Sequence, residues 1–134
     1  MTRRLALLVA LVLVVAACTD DAPIEIPEPE VVAEVETCDG VADVAEDYVR
    51  LMYAELPSAP RVVVTGAEAP TERLAALQEI GEILDERAVR LACDPFELRT
   101  DVNERIADLE SDHPVVSLFL DIVREDGVVP TSEG

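Results

Sequence analysis

Apolar residues recur three and four positions apart along the middle of the chain, as Val41, Val44, Ala45, Tyr48, Leu51, Met52 and Leu56. That period predicts an amphipathic helix over about Gly40 to Leu56, with Asp39 as its N-cap and Pro57 ending it. Leu74, Leu77, Gly81, Leu84, Ala88 and Leu91 predict a second helix over about Pro70 to Ala92. Gly81 costs that helix about 1 kcal/mol against alanine unless a neighbouring helix needs the close approach. Next, "DPFE" (residues 94–97) places a capping aspartate, a proline at the first helical position and a glutamate at the third. It opens a third helix to about Glu110 with Phe96, Val102, Ile106 and Leu109 as its stripe. "SDHP" (residues 111–114) repeats the device, with Ser111 or Asp112 capping a fourth helix to about Arg124. That helix is apolar nearly all round, from Val115 to Val123, and is expected to be the most buried. The expected fold is all-α, a small four-helix bundle-like domain over residues 38–125 with a flexible tail at 126–134.

Two stretches break the pattern. Residues 57–70, "PSAPRVVVTGAEAP", contain a β-branched run from Arg61 to Thr65 that has no ladder unless it pairs with Val128 and Val129 or with the tether. The segment is expected to pack as an apolar loop over the open end of the first hairpin; an exposed recognition loop or edge strand is the alternative. Thr19 to Thr37 carries three prolines and seven carboxylates (Asp20, Asp21, Glu25, Glu28, Glu30, Glu34, Glu36) and no basic residue. With Cys18 it reads as an extended, disordered acidic tether, with an edge strand or packed arm over residues 31–36 as the alternative.

The N-terminus begins with Arg3 and Arg4, continues as an apolar run from Leu5 to Ala17, and closes on the small residues of "VAAC" (residues 15–18). This is the pattern of a secretory signal peptide over residues 1–17. Crossing a bilayer takes about twenty apolar residues, and this run ends in Thr19, Asp20 and Asp21 without a basic stop signal. "VAAC" resembles the lipobox of bacterial lipoproteins. The resemblance implies diacylglyceryl transfer to the Cys18 sulfur, cleavage just before it, and a mature protein lipid-anchored on the extracytoplasmic face of the cell membrane. "CDPFEL" after "RAVRLACD", with an earlier "CDG" helix start, is similar to small helical bacterial lipoproteins over residues 38–125. Those motifs are mostly caps and a bridge, and imply no activity.

Removing residues 1–17 leaves 117, enough for one small domain and too few for a two-lobed solute-binding lipoprotein. Arg3 and Arg4 depart with the signal, so the mature chain sets eight basic residues, all arginines, against twenty-nine acidic ones, for a net charge of −21. That field repels nucleic acid and anionic lipid and favours a cationic partner. The absence of lysine fits a GC-rich genome or salt adaptation better than site chemistry. Cys38 and Cys93 remain in an oxidising compartment and are expected to pair. A bridge closing about 55 residues stabilises by about 4 kcal/mol on chain-entropy grounds. If the first two helices form an antiparallel hairpin, Cys38 begins one beside the place where Cys93 ends the other. Their lengths, about 17 and about 23 residues at about 1.5 Å each, allow this. Glu46 with Arg50, Glu86 with Arg90 and Asp101 with Arg105 are acid-first pairs four apart, which reads as solvated helix faces.

Candidate chemistry is sparse. The cysteines are committed, and His113 stands beside a proline at a helix start. No serine lies in a Gly-x-Ser-x-Gly turn, and the five glycines make no phosphate loop. "DLESDH", with Asp108, Asp112 and His113, is the densest metal-like cluster, but it lacks a calcium loop's glycine turn and reads as capping. No catalytic residue, metal ligand or cofactor is expected. The expected role is a non-enzymatic protein-interaction module working through an acidic helix face or residues 57–70, with a small-ligand or divalent-cation-binding lipoprotein as the alternative.

Overall fold

The computed structural model describes residues 24–59 and 71–128. Five helices stand in these residues: α1 (Pro29–Ala33), α2 (Cys38–Glu55), α3 (Glu72–Arg90), α4 (Pro95–Arg105) and α5 (Pro114–Asp126). A single 3-10 turn, Leu56–Ser58, follows α2 where Pro57 withholds its N–H. No strand is present among the described residues. The fold is the expected all-α bundle, and α2 and α3 form its central hairpin. Val41, Ala45, Tyr48 and Val49 of α2 meet Leu77, Ile80 and Leu84 of α3 in one apolar core, closed by Val102 and Ile106 below and Val116, Leu120 and Val123 alongside.

The caps explain the helix boundaries. Thr37, not Asp39, caps α2: its Oγ1 accepts from Gly40 N at 3.0 Å, while Asp39 sits in the first turn. Asp94 caps α4 as expected, accepting from the N–H groups of Phe96 (2.9 Å) and Glu97 (3.0 Å). At the start of α5 the cap position falls to His113, whose side chain makes no capping bond. Ser111 Oγ instead accepts from His113 N at 3.1 Å, so the expected Ser111 or Asp112 cap is replaced by a turn just before the helix. Helix α4 ends at Arg105, five residues earlier than expected. Its last carbonyl is met from outside, Arg50 donating to Arg105 O at 3.0 Å, and in the turn beyond it Arg124 donates to Leu109 O at 2.8 Å.

Three further expectations change. Residues 24–37, read as solvated tether, are in part an arm packed on the domain. Ile24 and Ile26 alternate inward with Glu25 outward, and one helical turn at α1 then puts Val32 wholly inside against the core. Every carboxylate of the arm stays exposed, which reconciles its acid content with its docking. The bundle therefore starts before residue 38. Second, α5 is not buried all round: Val116, Leu120 and Val123 face the core, whereas Leu118 and Ile122 are 58% and 40% exposed. Third, Phe96 leaves the α4 stripe and is 66% exposed, with the Arg99 guanidinium 5.4 Å from its ring centre. Residues 60–70, on which the loop expectation for 57–70 rests, the signal segment, Cys18 with residues 19–23, and residues 129–134 lie outside the described residues.

Candidate interaction surface

Cys38 and Cys93 are joined, with Cα atoms 5.6 Å apart, and clamp the start of α2 to the end of α3. The chain delivers Cys93 through a helix stop that carries no glycine. Ala92 takes a left-handed conformation (φ 53°), Cys93 N donates to Ala88 O and Ala92 N to Val89 O, both at 3.0 Å. This paired bonding ends α3 and turns the next residue toward α2.

The "DLESDH" residues do not converge. Asp108 is engaged by Arg50, Asp112 is exposed, and His113 sits at the α5 cap with Nδ1 buried and unpartnered. Among the described residues no group of three or more His, Cys, Asp or Glu side chains could hold a metal ion.

Part of the acidic surface, on α2 and α4, is bonded within the molecule. Glu46–Arg50 (3.0 Å) and Asp101–Arg105 (2.9 Å) form as their spacing requires, and Glu86–Arg90 pairs more loosely at 3.7 Å. Both inner arginines also cross between helices. Arg105 reaches Asp39 at 2.9 Å, contacts Asp43, and lies 3.9 Å from Glu46. Arg50 spans to both carboxylate oxygens of Asp108 at 3.0 and 3.1 Å. Bonds to Asp101 and Asp43 hold the Arg105 guanidinium above its ordinary pKa, and Arg50 holds Asp108 below its own. Two arginines thus tie α2 to α4 and to the turn after it through five carboxylates, Asp39, Asp43, Glu46, Asp101 and Asp108.

Beside the carboxylates that remain exposed on α3, α4 and α5, two apolar surfaces stand out. Between α2, α3 and α5 runs a groove of about 190 Å³ lined by Met52, Leu56, Leu74, Val115 and Phe119, with the exposed Leu118 and Ile122 on its α5 wall. Leu56 and Leu74 lie on either side, in sequence, of residues 60–70. A smaller cavity of about 120 Å³ lies beside the bridge, walled by Val41, Leu84, Ala88 and Leu98 and bordered by Asp85, Arg99 and Asp126. Neither brings together a nucleophile, a base and an orienting group; what they offer is desolvation of an apolar side chain or small molecule. Periodicity alone did not separate the two sides of α5, because Leu118 and Ile122 are as apolar as the residues it buries.

No helix among the described residues is long and apolar enough to cross a membrane. Comparison with protein-family models, with curated proteins and with solved structures finds no match to this chain.

Proposed function

We propose that this chain is a lipoprotein, anchored through Cys18 on the extracytoplasmic face of the cell membrane, whose helical domain binds another protein and performs no catalysis. The anchor reading is supported by the Arg3–Arg4 head, the apolar run and "VAAC". Two acyl chains, at about 0.8 kcal/mol per buried methylene, hold far more firmly than one. The observation that carries the binding reading is the exposure of Leu118 and Ile122 on a helix whose opposite side is in the core. A partner that seats an apolar side chain between α2 and α5 and carries positive charge around it matches both the groove and the net charge of −21.

The test is a photo-reactive residue at position 118 in membranes of the native host. A discrete protein adduct, lost when Ile122→Asp is added and weakened by high salt, supports the reading. Absence of any adduct at low and high salt overturns it.

A second reading takes the cavity beside the bridge as a site for a small apolar ligand, favoured by its lining of Val41, Leu84, Ala88 and Leu98. A rise in melting temperature with a small aromatic or branched hydrocarbon, abolished by Ala88→Leu, would favour it over the first.

A further inference from the structure

The packed arm changes how far the domain stands from anything attached at residue 18. Ile24, Ile26 and Val32 pack against the core, and Arg87 Nε donates to Val35 O across 52 residues of sequence. Val35 in turn crowds the start of α2: a Cβ added at Gly40 would lie 2.8 Å from Val35 Cγ1, so glycine there lets the arm close onto the helix. The chain is therefore held from residue 24 onward. Between Cys18 and Ile24 there are six Cα steps, which at about 3.3–3.6 Å each reach no more than about 20 Å. If the arm were released back to Cys38, which the bridge pins, the twenty steps from residue 18 would reach about 65–70 Å.

We propose that the docked arm acts as a spacer of fixed length that makes this a juxtamembrane domain, its attachment point at residue 24 held within about 20 Å of the bilayer, and fitted to partners lying in or against the same membrane. This rests on the lipid-anchor reading of Cys18. Charge does not oppose it. The screening length is about 8 Å at physiological ionic strength, so a body of net charge −21 can stand two such lengths from an anionic surface without straining the arm off. Release would return Val32, Ile24 and Ile26 to water and break the Arg87–Val35 bond, which opposes the chain entropy that release gains.

The experiment uses the full, membrane-processed protein reconstituted in phosphatidylcholine vesicles, with a donor fluorophore at the exposed position 104 and an acceptor on lipid headgroups. The Cys18 adduct is read by mass spectrometry in every sample. Three proteins are compared: the parent, Val32→Asp, and a variant with twenty-four Gly/Ser residues inserted between 21 and 22, which leaves the packed body untouched. High transfer in the parent, with a fall of about two-fold or more in both variants while Cys18 stays lipidated, supports the spacer. Lipidated parent and insertion variant with equal transfer overturn the spacer alone. An unmodified Cys18 overturns the anchor reading and the spacer with it.

Discussion

Gly81 of α3 lies directly against the ring of Tyr48 on α2: a Cβ at residue 81 would stand 3.2 Å from the phenol oxygen and 3.3 Å from the carbon bearing it. The glycine that helix propensity disfavours is thus what lets the two longest helices approach around a tyrosine only 8% exposed. Gly81→Ala gains about 1 kcal/mol of helix propensity and must displace that ring by a few tenths of an ångström. Because Tyr48 is packed within the core cluster, we expect a net loss of about 0.5–1.5 kcal/mol in urea unfolding. In a Tyr48→Leu background the sign should reverse. Equal effects of Gly81→Ala in both backgrounds would mean that the contact carries no coupling.

Ala92 supplies a second, opposite case. Its left-handed conformation is one that alanine adopts at a cost of about 1–2 kcal/mol and glycine adopts freely. Ala92→Gly should therefore stabilise the protein by about 0.5–1 kcal/mol, after allowance for the extra freedom glycine gains when unfolded. Chemical denaturation with the bridge intact measures it. A destabilised variant would show that the methyl group makes a contact worth more than the strain.

These two residues mark how far the chain could be read from its letters. Helices α2 to α5 were legible because their apolar stripes repeat every three to four residues, and Asp94-Pro95 announced α4 through local chemistry alone. The bridge followed from counting thiols and from the hairpin they had to close. The packed arm was legible only as the alternative over residues 31–36, where Val32 lies: its carboxylates dominate the composition, while the apolar residues that dock it are few and fall partly at extended and partly at helical spacing. Nor could local pairing reveal that Arg105 would reach Asp39 and Asp43, 66 and 62 residues away. Long-range charge contacts leave no periodic trace.

Helix α5 gives the sharpest contrast between two leucines of the same helix. Leu120 is 2% exposed and Leu118 58%. Leu120→Ala should cost about 2–5 kcal/mol through lost burial and a cavity, whereas Leu118→Ala should change stability by no more than about 0.5 kcal/mol. Thermal unfolding of the two variants side by side checks this. A large loss at residue 118 would place that side chain against a packed element and remove it from the candidate surface.

Acid should act on two aspartates of the bundle with opposite signs. The Asp108 carboxyl is held below its ordinary pKa, chiefly by its hydrogen bonds from Arg50. Its contribution is present above the unfolded value of about 4 and is lost as pH falls through the lowered native value. Asp47 is pushed up, first by partial desolvation and then by repulsion from Glu46 and Asp43, with Arg50 opposing. Its contribution is present below about pH 4 and is lost as pH rises through the raised native value, so at neutral pH its charge works against folding. Asp108→Asn should therefore lower the melting temperature at pH 7, and Asp47→Asn should raise it. Both differences should shrink toward zero in strong acid, where the wild-type carboxyls are themselves neutral. Both aspartates are exposed, so the shifts should be small and should weaken in high salt. Melting curves at pH 7 and in strong acid decide the matter, and a shift of the same sign for the two variants at pH 7 would contradict the charge arrangement around Arg50.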